Sequence, residues 1–259
     1  MKDIPQPRPV PRPIGPGAVF AALRSGWRTY RMSWFASTAY AALFALLGVL
    51  LVAAVTEVGM APMAWVLAGG FMIVGPVMVV GFFGIARACR EGKRPGVSDV
   101  LHGFRGAPVG LAALSAVCIF IFLVWMADAS ILYGFMVGGG GFYWADLLPR
   151  TSQVLDFQVR AGVMGAVFAL IVFPVSAYSV PLLIERRANL AVAVSASVRA
   201  VFASARASFL WALLLAVTVI FSVAIPPVLL VSLPVLAHAS EALYRQVFPP
   251  VDERTRLSA

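Results

Sequence analysis

Six apolar segments, each close to the roughly 20 residues that a helix needs to cross a bilayer, divide the chain. They are Trp34–Val55, Met63–Ala86, Ala107–Ala127, Ala161–Ile184, Ala207–Ala224 and Pro226–Ser240. The last is the shortest and contains Pro226, Pro227 and Pro234. Hydrophobic residues make up 61% of the chain and charged residues only 12%, a balance that excludes a soluble domain. We therefore predict an all-α membrane protein with six transmembrane helices.

The basic residues are distributed unequally between the two sides of the membrane in this six-span arrangement. Eighteen of the twenty Lys and Arg residues fall in the two tails and in the second and fourth connections, and only Arg150 and Arg160 fall on the opposite side. Because Lys and Arg next to spans are retained in the cytoplasm, both termini are predicted to be cytoplasmic. The same bias, with attraction to anionic lipid head groups on that side, accounts for the net charge of +9. Nucleic acid is therefore not expected as a partner.

Three stretches follow one plan, in which proline interrupts an apolar run that ends in positive charge. They are Phe71–Lys93, Ala166–Arg187 and Phe221–Arg245. Each covers the second span of a predicted hairpin, and each hairpin follows an amphipathic stretch whose apolar residues recur at helical spacing. The amphipathic stretches are Ala18–Arg31, Val97–Arg105 and Leu190–Arg206. Such internal repetition indicates a fold built by triplication, with the three copies inserted in parallel.

The predicted chain therefore has three repeats, each made of an amphipathic cytoplasmic helix and a transmembrane hairpin. The repeats are residues 18–95, 96–187 and 188–247. Residues 1–17 are rich in proline and are predicted to form a disordered tail, which is either a docking strap or a solvated segment, with the second interpretation favoured. Residues 248–259 form a C-terminal tail.

Aromatic residues beside arginine mark candidate contacts with lipids or with a partner protein. An apolar aromatic face bordered by arginine suits the head-group boundary of a membrane. The first two amphipathic stretches share a Gly-aromatic-Arg triplet that brings the two sets into correspondence. The candidates are Phe20, Trp27 and Arg28 in the first stretch, and Phe104 and Arg105 in the second.

The longest outer connection is predicted over residues 128–160. It holds the glycine run Gly138–Gly141, followed by Phe142, Tyr143 and Trp144. Long loops in compact proteins often carry function, so this one is interpreted either as a partner-binding or lid element or as an interfacial loop held by its aromatic residues. The three aromatic residues are included among the candidate contacts.

Few ionisable residues lie inside the predicted spans, and three residues within a span or next to its end form the candidate polar site. Asp128 near the outer interface is interpreted as a proton or cation site or, preferably, as a residue that caps a helix end. His238 and Glu241 are three residues apart and share a helix face; a polar helix end is favoured over a single haem or a proton relay.

No motif for catalysis or for a cofactor is found. The sequence has no Walker loop, no HExxH and no GxSxG, and two histidines cannot supply the ligands of an oxidase core. Cys89 and Cys118 do not form a metal-type pair. The chain is predicted to be neither an enzyme nor a cofactor protein. Paired prolines in the fourth and sixth spans are interpreted as shaping the bundle rather than as hinges.

Three motifs carry a family resemblance: GPVMVVGFFGIARACREGKRP (Gly75–Pro95), WMADASILYG (Trp125–Gly134) and LPVLAHASEALYRQV (Leu233–Val247). Through them the sequence resembles, from about Ala18 to Val247, a family of uncharacterised bacterial integral membrane proteins of similar length. It implies a six-span protein of the bacterial inner membrane. Some members carry the label of cytochrome c oxidase subunit, which would here imply an accessory role.

Two classes of function follow as hypotheses. The first is a non-catalytic membrane protein that acts through protein or lipid contacts, such as an accessory or assembly component of a bioenergetic complex. The second is a transporter or channel for a lipid or another apolar solute, which requires a cavity between the hairpins.

Overall fold

The computed structural model describes residues 9–104, 108–138 and 141–249, without the side chains of residues 71–74, 76–78 and 102. This part of the chain is helical, and its one β-type pairing is an isolated bridge between Met60 and Phe142. Short 3-10 turns lie at Ala61–Met63, Trp144–Asp146 and Pro226–Val228. The helices are α1 (Pro16–Met32), α2 (Trp34–Glu57), α3 (Ala64–Met78), α4 (Val80–Arg90), α5 (Val97–Phe104), α6 (Val109–Met136), α7 (Ser152–Ser176), α8 (Ser179–Ile184), α9 (Leu190–Ala203), α10 (Ala205–Ala224) and α11 (Leu229–Val247).

Five helical segments of the described chain are long and apolar enough to cross a membrane. They are Trp34–Glu57, Val109–Met136, Ser152–Ile184, Ala205–Ala224 and Pro226–Val247. The predicted second span is instead divided into α3 and α4, which meet at Val79. Val79 keeps a near-helical backbone with φ −65° and ψ −19°, and its N–H donates to the Gly75 carbonyl at 3.2 Å, so the junction is a local irregularity. A multi-span helical protein is thus confirmed, whereas the count of six stays a prediction.

The outer connection is shorter than predicted because the helices on both sides extend into it. Helix α6 continues to Met136, and α7 begins at Ser152, where the Thr151 hydroxyl accepts a hydrogen bond from the Val154 N–H at 3.3 Å. The loop therefore covers residues 137–151 rather than 128–160. Asp128, Asp156 and Arg160, which the prediction places in the loop, lie within α6 and α7.

Each of the helices α1, α5 and α9 packs against a helix of a different predicted repeat. Helix α1 lies on α11, α5 lies on α4, and α9 lies on α7 and α8. Close approach of backbones makes the first two contacts: a Cβ atom added at Gly26 would stand 2.5 Å from the Val235 carbonyl oxygen, and one added at Gly103 would stand 2.8 Å from that of Val80. The surface helices thus hold neighbouring long helices together.

The third contact uses a hydroxyl where the first two use glycine. Ser197 of α9 donates to the Pro174 carbonyl at 2.6 Å and accepts from the Tyr178 N–H at 3.0 Å. These are backbone groups at the break between α7 and α8, where regular helical bonding ends. Ser197 therefore supplies hydrogen-bond partners to the backbone groups at the break.

The two ends of the described chain are ordered against the bundle. The Arg12 N–H donates to the Val247 carbonyl at 2.9 Å, and the Ile14 N–H donates to Ser204 Oγ at 3.0 Å. Phe248 is buried beside Tyr244. The prediction of a disordered tail over 1–17 is therefore corrected from residue 9 onward, because these backbone groups find partners on α11 and at the α9–α10 junction.

Candidate functional site

An apolar cavity of about 140 Å³ lies between α3, α4, α7, α8, α10 and α11. Its walls are mainly aliphatic and aromatic, and Ser176 and Thr218 are two of its few polar residues. Both hydroxyls donate to carbonyls of their own helices, at 2.8 Å in each case, which is the usual arrangement for hydroxyls inside apolar helices. They therefore offer no free donor to an occupant, and the cavity suits hydrocarbon.

A second, polar cavity of about 1000 Å³ lies at the charged ends of α4, α8 and α11, the ends predicted to face the cytoplasm. Six basic and four acidic side chains line it, so the lining has a net positive charge. The basic residues are Arg87, Arg90, Lys93, Arg186, Arg187 and Arg245, and the acidic residues are Glu91, Asp99, Glu185 and Glu241.

Glu241 is the centre of the ion pairs in the polar cavity. Its carboxylate accepts from a terminal nitrogen of Arg90 and, at 2.7 Å, from Nε of Arg245. The Glu241 side chain is only 10% exposed, so these charge-assisted bonds compensate for the burial of the carboxylate. They link α4 to α11.

Glu185 extends the same network to α8. Its carboxylate accepts from Arg245 at 3.0 Å and from the Tyr244 hydroxyl at 2.7 Å. Arg187 in turn donates to the Tyr244 hydroxyl at 3.1 Å and to the carbonyls of Phe248 and Pro249 at 2.9 and 3.0 Å. The charged ends of α4, α8 and α11 are thereby fixed to one another and to the start of the C-terminal tail.

Phe83 and Pro181 line both cavities. Each is buried, and the two cavities adjoin at these residues. Apolar space next to a positively charged cavity matches a molecule with a hydrocarbon portion and an anionic group.

Burial and neighbouring charge alter the pKa values of groups at the end of α4. Burial lowers the pKa of the Arg90 guanidinium, an effect that the Glu241 carboxylate opposes. Burial raises the pKa of the Cys89 thiol, although the Ser33 hydroxyl and the charge of Arg90 act in the opposite direction. Hydrogen bonds from Lys93 and Arg87 lower the pKa of the exposed Glu91 carboxyl.

His238 is buried inside the bundle, which differs from its interpretation as a polar helix end. Its Nε2 lies 3.0 Å from Ser37 Oγ, and its ring meets the Phe82 ring edge-on at 5.8 Å between centroids. Ser37 Oγ also lies 2.9 Å from Ser33 Oγ, whereas Nδ1 of His238 has no hydrogen-bond partner among the described atoms. A Ser–His contact can activate a nucleophile, but neither residue lines the apolar or the polar cavity.

The structure does not bring the three residues of the predicted polar site together. Asp128 lies within α6, eight residues before its end, and is half-buried; it is therefore not at a helix end. His238 contacts Ser37 on α2, and Glu241 enters the polar cavity. Of the three predicted polar residues, Glu241 is the one that lines a cavity described above.

The predicted aromatic contacts remain available on the surface. Phe20 and Trp27 are 54% and 46% exposed, because α1 turns Val19, Ala22 and Gly26 toward the bundle instead. Arg28 is exposed as well. Phe104 is 40% exposed, and Arg105 lies outside the described residues.

The outer loop is held against the turn between α2 and α3. The Phe142 N–H donates to the Gly59 carbonyl at 2.9 Å, and the Ala61 N–H donates to the Phe142 carbonyl at 3.1 Å. Trp144 Nε1 donates to Glu57 at 3.2 Å. Tyr143 and Trp144 keep about half of their surface exposed. These bonds favour a fixed interfacial loop over a lid.

Sequence reasoning missed the polar cavity, although its residues had been noted individually. The basic residues at the span ends are explained by the orientation of the chain in the membrane, and this explanation does not require that they contact one another. The i, i+4 spacings of Arg87 with Glu91 and of Glu241 with Arg245 are local signals of ion pairs.

Comparisons with known proteins support the membrane assignment. Neither curated proteins nor solved structures give a significant match. The motifs Gly75–Pro95 and Trp125–Gly134 lie inside residues 63–185, the region that matches a family model, whereas Leu233–Val247 lies outside it. Nothing in the match supports the cytochrome c oxidase label. Residues 63–185, from the turn before α3 to the residue after α8, match the family described as "Predicted integral membrane protein (DUF2189)", which confirms the resemblance to a family of uncharacterised membrane proteins.

Proposed function

We propose that this chain is a non-catalytic integral membrane protein that acts through lipid contacts and holds the hydrocarbon portion of a membrane amphiphile in the apolar cavity. The observation that carries the proposal is the position of this cavity, which is lined by α3, α4, α7, α8, α10 and α11 and adjoins the polar cavity at Phe83 and Pro181. An amphiphile bound there satisfies both environments at once.

The proposal includes the six-span, three-repeat arrangement, with α3 and α4 together forming the second span. Two junctions support it. Ser33 joins α1 to α2 with φ −121° and ψ 22°, and Ser204 joins α9 to α10 with φ −121° and ψ 39°. Each serine carbonyl accepts a 2.9 Å bond from a serine four residues later, Ser37 or Ser208. The same local structure thus recurs where the first and third repeats enter the membrane.

The ring of helix contacts supports the same arrangement. Gly26, Gly103 and Ser197 occupy corresponding places, each before an apolar residue and an arginine. Each meets a carbonyl of the proline-bearing helix that belongs to the preceding repeat, and the first repeat meets the last. A closed ring of three such contacts is expected of parallel repeats around an axis along the membrane normal. Both cavities are lined by residues of all three proline-bearing helices.

The size of the apolar cavity limits what it holds. A dry cavity of about 150 Å³ accepts one benzene-sized group, and this one measures about 140 Å³. It therefore accommodates a short section of an acyl or isoprenoid chain. The remainder of the chain is expected to extend into the surrounding bilayer.

Lipid retention tests the proposal. The protein is purified in a neutral detergent, and bound lipid is measured by native mass spectrometry for Ala169→Phe and for Ala166→Phe. Ala169 lines the apolar cavity, whereas Ala166 on the same helix is exposed. Loss of the bound lipid in the first variant and its retention in the second are expected. Equal retention in both, or an unoccupied native protein, would count against the proposal.

Transport of a lipid or another apolar solute is the second candidate. It is favoured by the cavity between the hairpins, which this hypothesis requires, and by the polar cavity that adjoins it across Phe83 and Pro181. The test is the transfer of a fluorescent lipid analogue between the leaflets of vesicles that contain the protein. Transfer no faster than in protein-free vesicles excludes this candidate under those conditions.

A membrane-protein partner, such as a larger bioenergetic complex, also stays a prediction. The exposed aromatic residues Phe20, Trp27, Tyr143 and Trp144 suit either lipid or a neighbouring protein. Purification of the native protein in mild detergent decides between them, since a partner would be recovered in a fixed ratio.

A further inference from the structure

We infer that the polar cavity binds an anion of the phosphate class, presented as the head group of the amphiphile whose hydrocarbon portion occupies the apolar cavity. This inference rests on the proposed function. It assigns a specific recognition site within the bundle, whereas the general excess of basic residues on one side of the membrane requires no cavity at all.

The charge of the lining is the first argument. Six basic side chains against four acidic ones leave an excess of positive charge inside a cavity of about 1000 Å³. A net charge of one sign within low-dielectric walls attracts a ligand of the opposite sign. The excess therefore selects an anion over a cation or a neutral sugar.

The second argument concerns the arrangement of the arginine donors. Glu241 holds Arg90 of α4 and Arg245 of α11 side by side. A guanidinium has five N–H donors, and these contacts use one terminal nitrogen of Arg90 and the Nε of Arg245; Arg245 gives a further nitrogen to Glu185. Both arginines line the polar cavity, and these contacts leave other N–H groups of each guanidinium unused. Guanidinium geometry matches the oxygens of a phosphate in pairs, so an anion is met by groups that are already in place.

The backbone at Arg186 is the third, independent argument. Arg186 lies two residues after the end of α8 with φ +52° and is the one described non-glycine residue with positive φ. Helices commonly end with glycine in this left-handed conformation because a side chain is unfavourable there. The Arg186 N–H donates to Leu183 at 2.9 Å, and the Arg187 N–H donates to Leu182 at 3.0 Å. Strain of this kind persists where a side chain serves a function, and this side chain lines the polar cavity.

Thermal unfolding of the full-length protein in neutral detergent tests the inference. Three probes are added: inorganic phosphate, a short-chain phosphatidic acid, and a phosphatidylcholine with the same chains. Phosphatidic acid is expected to raise the unfolding midpoint with the highest apparent affinity. Loss of one charged hydrogen bond is worth about a factor of ten or more, so Arg186→Gln is expected to weaken phosphatidic acid binding at least about tenfold.

Two further variants keep this result interpretable. Arg186→Lys retains the charge and should restore part of the affinity. Arg199→Gln removes an exposed arginine of α9 that does not line the cavity and should leave the affinity unchanged. Equal weakening by Arg186→Gln and Arg199→Gln would overturn the inference, because it would indicate only nonspecific attraction.

The three probes separate failure of the inference from failure of the proposed function. Equal stabilisation by both lipids, abolished by Ala169→Phe, would support the apolar site and overturn the anion site. Stabilisation by inorganic phosphate as strong as that by phosphatidic acid, and unaffected by Ala169→Phe, would support an anion site for free phosphate and overturn its assignment to a lipid head group. No stabilisation by any probe would overturn both.

Discussion

Gly26 of α1 lies directly against the Val235 carbonyl oxygen of α11, so close that a Cβ atom at position 26 would stand 2.5 Å from that oxygen and 2.7 Å from the Ala239 nitrogen. These are backbone atoms and cannot rotate away. The contact closes the ring of surface helices, because it joins the first predicted repeat to the last. Glycine is required here by the close approach of two helices rather than by an unusual backbone angle.

Gly26→Ala is therefore expected to destabilise the protein by about 1–3 kcal/mol through overpacking. The measurement is thermal unfolding in detergent, with Gly48→Ala as the matched control. Gly48 lies in α2, and no described atom lies within 4 Å of the position that a Cβ atom would take there, so alanine should be neutral or stabilise by up to about 1 kcal/mol. The same sign for both variants would show that the crossing of α1 and α11 tolerates a side chain.

The sequence predicted the helical membrane class and the correspondence of Gly26 with Gly103, because apolar length and local triplets are visible along the chain. The third copy could not be aligned with the first two, since it has Ser197 where they have glycine. The Ser197 hydroxyl donates a hydrogen bond to the Pro174 carbonyl, whereas the glycines allow the two backbones to approach closely. The polar cavity was equally inaccessible. Arg90 and Glu241 are 151 residues apart, and no local pattern indicates that they meet.

Glu241→Gln is expected to lower stability by about 1–3 kcal/mol, since the carboxylate neutralises two arginines and amide bonds to them are weaker than charge-assisted ones. Partial exposure of Arg90 and Arg245 keeps the loss below that of a fully buried pair. The readout is the unfolding midpoint at low and at moderate salt. Glu91→Gln is the control, because its exposed bonds to Arg87 and Lys93 should contribute little. An equal loss in both variants would contradict the special position of Glu241.

Ser37→Ala is expected to cost about 1–3 kcal/mol, because it leaves the buried His238 ring without its hydrogen bond. The chemical denaturation midpoint measures the loss. Ser195→Ala, at an exposed position of α9, is the control and should change little. Adding His238→Phe to Ser37→Ala removes both polar partners and should recover part of the stability. If the double variant loses more stability than the two single variants combined, the Ser37–His238 pair contributes more than one mutual hydrogen bond.

At position 186 glycine is expected to be more stable than alanine by about 1 kcal/mol, since both remove the arginine side chain but only glycine adopts positive φ freely. Position 199 supplies the opposite comparison. It lies within α9, where alanine should be more stable than glycine by about 1 kcal/mol. Unfolding midpoints of the four variants test both signs, and the same order at both positions would refute the strain assigned to Arg186.

The reactivity of Cys89 reports the electrostatics of the polar cavity. Burial raises the pKa of this thiol, so its stabilising contribution is complete below the pKa of the unfolded thiol and is lost as pH rises through the higher folded pKa. Alkylation proceeds through the thiolate and should be slower in the folded protein than in denaturant at mildly alkaline pH.

The charge of Arg90 lowers the pKa of Cys89 and that of Glu241 raises it. In a Cys118→Ala background, Arg90→Gln should therefore slow alkylation and Glu241→Gln should accelerate it. Because these residues form one ion pair, simple loosening of the structure would accelerate the reaction in both variants; opposite changes can only come from their charges.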